Sequence, residues 1–443
     1  MNIKTSKKKG IISAYNLLCF LIILFPILPY WFKLGGTNVS YIICTIICVI
    51  IFFMVNAKIP LYINVPMLLI GQGVFIRLIQ LFWTGNIKTL LFYFVTTVVL
   101  LSVMLEVINS QSKFIGLINA LVYTCGFVSF WGFIEEVTHF NIFSLLNTGN
   151  DALNYNALRF GLLRIISFSS HAIAYCLYLT MMLCLILYSM QFCRTKRELK
   201  IKQLIYIMAV LNAILTLSRS SLILMIISQI FLFYVTSGSR KFIIKAIKVI
   251  VIGGLAVAIL SMISNKVLNS VKMFLYMLLA VFNDSYSSKI SSVFGGDNLS
   301  GVGNRLDLYN WVWQELQGHI LLGKGFGAEF SHQYTFKVGP YYAVDVKKSI
   351  EVQYLSTLYY FGIVGLVSQV IAYCGTIMLC LKNKLSKANW ESKLSFSFVA
   401  AVALITCYLE YFAVSQGTDR EIFVLLIDLL IVYKVNKKFE KGM

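Results

Sequence analysis

Four arginines in this chain sit where an anion could be held. Arg219 lies in Leu-Thr-Leu-Ser-Arg-Ser-Ser, between two apolar runs. Arg159 and Arg164 come just before Ile-Ser-Phe-Ser-Ser-His171. Arg305 opens the stretch Gly-Asn-Arg-Leu-Asp-Leu-Tyr-Asn-Trp-Val-Trp-Gln-Glu-Leu-Gln-Gly, which ends at Gly318. There Asn304 suits a helix N-cap, Asp307 a first turn and Gly318 a helix end. Arg305, Tyr309 and Trp313 are spaced by four and share one helical face. A cation at a helix N-terminus opposes the helix dipole, so an anionic partner explains Arg305 better than helix stability does. Free backbone N–H groups at the same end favour the same ligand. The guanidinium is a planar, permanently charged fork suited to phosphate. The plainer alternative for Arg219, Arg159 and Arg164 is a turn whose arginine reaches lipid headgroups.

A transfer reaction to a hydroxyl also needs a general base. His171, His332 and Glu351 are the candidates, with His139 and His319 less well placed. Each histidine has a structural role as its alternative. Glu351 stands where an apolar run begins, in Lys-Lys-Ser-Ile-Glu-Val-Gln-Tyr-Leu, and a carboxylate there is costly unless paired or useful. Metal chemistry has no sequence signature. The stretch 265–350 holds Asp284, Asp297, Asp307, Glu315, Glu329 and Asp345, but no Asp-x-Asp pair and no His/Asp cluster with ligand spacing. No cofactor is expected. The segment Gly323-Lys-Gly-Phe-Gly327 invites comparison with a phosphate loop. It lacks the preceding strand and the helix-opening Lys-Ser/Thr, so a glycine-permitted turn is the better reading.

These residues must be positioned by membrane helices. The chain is 59% hydrophobic and only 13% charged, with mean hydropathy +0.80. Too little polar residue is present to cover soluble domains. Apolar runs of about 17 residues or more recur, the length a hydrocarbon core demands of a helix. Spans are predicted at 11–32, 39–56, 62–83, 89–105, 114–134, 169–192, 203–217, 220–236, 247–264, 351–381, 394–414 and 421–433. The expected fold is an all-α polytopic membrane protein of about twelve spans. It forms a single membrane domain over 1–443, with one large extracytoplasmic loop at 265–350. Val271–Phe282 could lie on the outer interface as an amphipathic helix. The ten cysteines lie in or beside apolar runs, and none in 265–350, so no disulfide framework or metal site is indicated.

The net charge of +20 does not point to nucleic acid, because its lysines and arginines fall mostly in alternate short loops. One set of loops holds Lys4–Lys9, Lys58, Lys113, Arg194–Lys202, Arg240–Lys248, Lys382–Lys393 and Lys434–Lys441. The other short loops hold only Lys33, Lys88, Arg219 and Arg420. By the positive-inside rule both termini are cytoplasmic and 265–350 faces outward. The protein is then expected in a bacterial cytoplasmic membrane. The arginines and base candidates gather on the outer side, where a lipid-borne pyrophosphate is the ligand class they suit. Such a site could stabilise a departing pyrophosphate without a metal.

Three segments resemble the O-antigen polymerase and ligase superfamily (Wzy-like), which includes capsule and exopolysaccharide polymerases. Leu215-Thr-Leu-Ser-Arg-Ser-Ser221 is similar to that family's Thr-x-Ser-Arg turn. Gly303-Asn-Arg305 with Trp311, Trp313 and Leu322-Gly-Lys-Gly-Phe-Gly327 is similar to its Arg…Trp…Leu-Gly-x-Gly segment. Ser349-Ile-Glu-Val-Gln-Tyr-Leu through Phe361-Gly-Ile-Val-Gly365 is similar to the helix that follows its large loop. The resemblance implies transfer of a growing glycan from a polyprenyl-pyrophosphate carrier to another lipid-linked repeat unit. Arg219 and Arg305 would bind the donor pyrophosphate, with Arg164, Arg159, Trp313 and Tyr309 as further substrate contacts. The implied partners are that lipid-linked oligosaccharide, membrane lipids and a chain-length regulator protein, with no nucleic acid. In the ligases a histidine near the start of the post-loop helix serves as base. This chain has none there, which favours polymerase over ligase and leaves Glu351, His171 and His332 as the base candidates. A flippase for the lipid-linked repeat would instead predict charges along a central path and internal pseudo-symmetry. Charges inside the predicted spans are few, Arg77 being the main one.

Overall fold

The computed structural model is mostly helical. It describes residues 13–59, 87–148, 158–159, 162–237, 303–325, 328–338, 341–385, 394–412, 414 and 420–435, with scattered positions in 71–81 and 272–289. Most of the predicted span 62–83, all of 247–264 and most of Val271–Phe282 lie outside the described residues.

In chain order the described helices are α1 (Ala14–Ile27), α2 (Val39–Val55), α3 (Ile87–Phe94) continuing through a π segment (Val95–Val99) into α4 (Leu100–Val107), and α5 (Gln111–Thr138). Then come α6 (Ala172–Met190), α7 (Lys196–Leu215), α8 (Arg219–Ser237), α9 (Gly303–Glu315), α10 (Gln353–Leu385), α11 (Phe396–Glu410) and α12 (Arg420–Val435). Among the described residues, five stretches are long and apolar enough to cross a membrane: Leu90–Val107, Gln111–Thr138, Ala172–Met190, Arg219–Thr236 and Gln353–Met378. Ala14–Ile27, Val39–Val55 and Phe396–Glu410 are shorter apolar helices. This is an integral membrane protein.

Side-chain oxygens start several of these helices. Ser13, Ser110, Thr195 and Ser395 each accept from a backbone N–H three residues on, which satisfies a donor the helix itself leaves over. The helices pack by burial pattern. α6 is apolar all round and is buried on nearly every side, so it forms the centre of the bundle. α5, α7, α8 and α11 surround it. α11 also touches α10 and α12, which makes it the link between the central bundle and the C-terminal helices.

The segment before α10 has a small core of its own. Leu308 and Val312 on α9 and Leu316 just after it form a buried stripe and pack with Phe330, Val352, Leu355 and Tyr359. This segment also holds a β-hairpin, β1 (His332–Val338) against β2 (Tyr341–Lys347), in antiparallel register from His332 opposite Lys347 to Val338 opposite Tyr341. The all-α expectation holds for the bundle but not for this hairpin. Tyr334, Phe336 and Val338 alternate with Gln333, Thr335 and Lys337, which is the period-two signal of a strand inside a stretch expected to be loop.

α9 begins at Gly303, so Asn304 lies inside the helix rather than at its cap. The chain unwinds after Glu315 through Leu316 N–H to Val312 O and His319 N–H to Leu316 O, and Gly318 takes a left-handed φ of 82°.

α10 is broken at Gly362, whose φ of 64° and ψ of −167° are not helical. The break would strand backbone groups, and the turn at 320–325 satisfies them. Lys324 N–H and Gly325 N–H donate to Tyr359 O and Tyr360 O, at 2.8 and 3.1 Å. Ile363 N–H and Val364 N–H donate to Ile320 O and Leu321 O, at 2.9 and 3.3 Å. A Cβ on Gly323 would meet backbone atoms of Tyr360, Phe361 and Gly362 at 2.5 to 2.6 Å, and one on Gly362 would collide with Leu321 and Leu322. The two glycines let two backbones touch. This is the structural reason for the Leu-Gly-Lys-Gly sequence, and it agrees with the turn reading rather than a phosphate loop.

Candidate functional site

Two of the predicted arginines come together. Arg219 is the first residue of α8, and the turn before it contains Leu217 at φ 52°, a left-handed conformation that is strained for a branched side chain. Arg164 arrives from the segment before α6. Its Nε donates to Thr216 O at 3.2 Å, and one terminal nitrogen donates to Ser218 Oγ at 3.5 Å. Arg164 therefore grips the turn that carries Arg219. Burial, and then the nearby positive charge of Arg219, lower the proton affinity of the Arg164 guanidinium below its ordinary value. Two cations held this close favour an anion between or beside them.

The Arg164 segment is itself held from behind. Glu135, near the end of α5, is buried and accepts from Ile166 N–H at 3.1 Å and Ser167 N–H at 2.9 Å. Asn141 Nδ2 donates to Ser167 O at 2.7 Å. Ser167 is left-handed at φ 52°. The buried Trp31 packs on Ile166 and donates its indole N–H to Phe143 O at 2.8 Å. The segment ends at His171, which is the N-cap of α6. Its Nδ1 accepts from Ile173 N–H at 3.2 Å, so the neutral ring is assigned its proton on Nε2.

A carboxylate completes this cluster. Glu410 ends α11, is only 1% exposed, and accepts from Ser220 Oγ at 2.7 Å and Ser221 Oγ at 2.8 Å. These serines follow Arg219 directly. Glu410 and Arg164 thus hold the same turn, Glu410 through Ser220 and Ser221 and Arg164 through Thr216 and Ser218. The residues after Glu410 receive the start of α10. Gln353 N–H donates to Tyr411 O and Val414 O, each at 3.2 Å, and Tyr354 Oη donates to Tyr408 O at 2.9 Å. Glu351 stands two residues before α10. It is 55% exposed and paired with Lys347.

Most of the remaining predicted residues belong to the segment before α10 and its small core. Tyr309 and Trp313 lie on one face of α9 and are exposed, beside the buried Leu308–Val312–Leu316 stripe. Arg305 is in the first turn of the same helix, and its side chain lies outside the described residues. Arg159 pairs through its backbone with Leu162 in a short antiparallel hairpin just before Arg164, and its side chain is likewise outside them. His332 stacks on Trp311 at 5.2 Å between ring centroids and lies 3.6 Å from Glu315. Lys324 pairs with Glu315 at 3.0 Å. The hydrogen bond from Lys324 holds the Glu315 carboxyl below the usual carboxylate range. That contact contributes above this range and is lost as pH falls through the lowered value. Each base candidate is thus engaged: His171 caps α6, His332 lies beside Glu315, and the exposed Glu351 pairs with Lys347.

Sequence reasoning missed Glu410 and Glu135. Both are carboxylates at the end of apolar runs, in Cys-Tyr-Leu-Glu-Tyr and Gly-Phe-Ile-Glu-Glu. An acid in that position is itself a signal, because burying it unpaired is costly.

Residues 204–370 match the family model described as O-antigen ligase. The match is consistent with the O-antigen polymerase and ligase superfamily that the motifs resemble. It takes in the Arg219 turn, α9 with Arg305, the 320–325 turn, the hairpin, Glu351 and the broken first part of α10. Arg164, Glu135 and Glu410 lie outside the stretch similar to the O-antigen ligases, so the cluster joins the Arg219 turn within it to residues beyond it. No curated protein matches the chain.

Proposed function

We propose that the chain is a polymerase that joins polyprenyl-pyrophosphate-linked oligosaccharide repeat units at the outer face of the cytoplasmic membrane. The product would be an O-antigen, capsular polysaccharide or exopolysaccharide chain. The observation that carries this reading is the convergence of Arg164 on the Arg219 turn, within and beside a segment similar to O-antigen ligases. In the reaction, an acceptor sugar hydroxyl attacks the anomeric carbon of the donor glycan. The bond from that carbon to the carrier's pyrophosphate breaks, and the base takes the hydroxyl proton. Arg219, Arg305 and Arg164 stabilise the negative charge that builds on the departing pyrophosphate, and Arg159 adds to the cationic approach. Because arginines can carry that charge, the chemistry needs no metal. Tyr309 and Trp313 offer exposed aromatic surface to sugar rings. Glu351 is the preferred base, with His171 and His332 behind it, because it stands at the start of the helix after the large loop, where the ligases carry their histidine. The loop charges support cytoplasmic termini and an outward 265–350 loop in a chain of about twelve spans.

The second reading is a ligase that passes the finished glycan to another acceptor, favoured by the description of the matching family. The missing histidine at the start of α10 argues against it. A gene deletion scored on a polysaccharide gel separates the readings. Loss of a polymerase leaves acceptor carrying one repeat unit, and loss of a ligase leaves bare acceptor. Repeats trapped inside the cell would instead mark a flippase and end both readings.

A further inference from the structure

We infer that Glu410 is a positioning residue that sets the Arg219 turn for pyrophosphate. The inference rests on the donor-site reading above and extends it to a residue outside the family match. Three observations lead to it. Glu410 is buried at the end of α11, where an uncompensated carboxylate would be expensive. A single oxygen, Oε1, receives the hydroxyls of both serines that follow Arg219. The same end of α11 accepts the first backbone N–H of α10, so one point ties the Arg219 turn to the helix that follows the outer segment.

The physical argument concerns where the helix start can go. The first turn of α8 has backbone N–H groups that no helical carbonyl satisfies, and its dipole favours negative charge there. Glu410 supplies an acceptor oxygen at that end and takes the hydrogen bonds of two serine hydroxyls. The turn is under strain at Leu217, and such a conformation persists only if its surroundings hold it. Arg164 holds it from one side, on Thr216 and Ser218. Glu410 holds it from the other, on Ser220 and Ser221. Between these anchors the position of Arg219 is defined. Glu410 touches no substrate in this scheme; it acts through the turn.

The test is binding of inorganic pyrophosphate to the purified full-length chain in detergent, read from the shift in thermal unfolding as pyrophosphate is added. Wild type, Arg219→Ala, Glu410→Ala, Glu410→Gln and the Ser220→Ala/Ser221→Ala double variant are compared. Glu410→Ala and the double variant are expected to raise the pyrophosphate Kd about tenfold, which corresponds to roughly 1.4 kcal/mol. Glu410→Gln keeps an acceptor oxygen and is expected to lie nearer wild type than Glu410→Ala does. A merely structural role would lower the unfolding temperature without changing Kd, and that result overturns the inference. So does a Glu410→Gln variant as impaired in binding as Glu410→Ala. If Glu410→Ala does not fold, the double variant decides the question alone, since it removes the same bonds from the other side. Equal pyrophosphate binding by wild type and Arg219→Ala overturns the donor-site reading itself, and the role of Glu410 with it.

Discussion

Arg164 and Arg219 are far apart in the chain, and neither has a helix-stabilising reason to be where it is. Arg164 spends its donors on the backbone and serine of the turn that carries Arg219. Arg219→Ala and Arg305→Ala are each expected to abolish chain extension while leaving protein level and membrane insertion intact, as judged by a polysaccharide gel beside a membrane immunoblot. Full-length polymer at the normal rate from either variant removes the pyrophosphate role given to that residue. Glu351→Gln in the same assay tests the base, and an active variant turns attention to His171 and His332. Glu135 illustrates a residue whose work is structural. Replacing it by alanine leaves two buried N–H groups without their acceptor, at about 1–3 kcal/mol each. Glu135→Ala should therefore unfold at a markedly lower temperature in detergent, with Glu135→Gln between it and wild type. Unchanged unfolding would mean that the clamp on the Arg164 segment has another source.

At the scale of elements, the interlock between the 320–325 turn and the break in α10 is the clearest example of one piece of chain completing another. Four backbone hydrogen bonds cross it, and both glycines lie where a Cβ would strike backbone. Gly323→Ala and Gly362→Ala should each cost more than about 2 kcal/mol, because backbone cannot yield as a side chain does. Gly318→Ala serves as the contrast. It is also left-handed, but has open space around it, so only the conformational cost of about 1–2 kcal/mol applies. Hydrogen exchange at the amides of residues 324, 325, 363 and 364 should lose protection in the first two variants and keep it in the third. Equal loss in all three would show that backbone strain, and not the close contact, governs the interlock. The Leu-Gly-Lys-Gly motif is legible in the sequence as a turn, but its partner is not. Phe361-Gly362 sits inside a long apolar run, and no spacing rule marks it as a helix break filled from another segment.

For the molecule as a whole, the central question is sidedness. On the positive-inside pattern we propose that the α6–α7 loop is cytoplasmic and the β1–β2 hairpin lies outside. Single added cysteines at Arg197 and Ser331, both exposed, provide the test. Each is compared with the labelling of the parent chain. In intact spheroplasts an impermeant maleimide should label Ser331→Cys, and should label Arg197→Cys only after permeabilisation. The reverse pattern would put the proposed site on the cytoplasmic side and end the reading of a lipid-linked glycan polymerised at the outer face.

By itself the amino-acid sequence determined that this is a helical membrane protein and which segments carry the arginines and the base candidates. Length and apolarity suffice for that, because a bilayer forces apolar runs into helices. Tertiary structure alone decided which of those residues meet. Arg164 reaching the Arg219 turn, and Glu410 holding its serines, depend on how α5, α6, α8 and α11 pack. Charge and spacing along a chain say nothing about contacts between helices many residues apart. That is also why Glu410 reads in the sequence as an ordinary acid at the end of an apolar run. Its role is visible only in the fold, where two serine hydroxyls point at one of its oxygens.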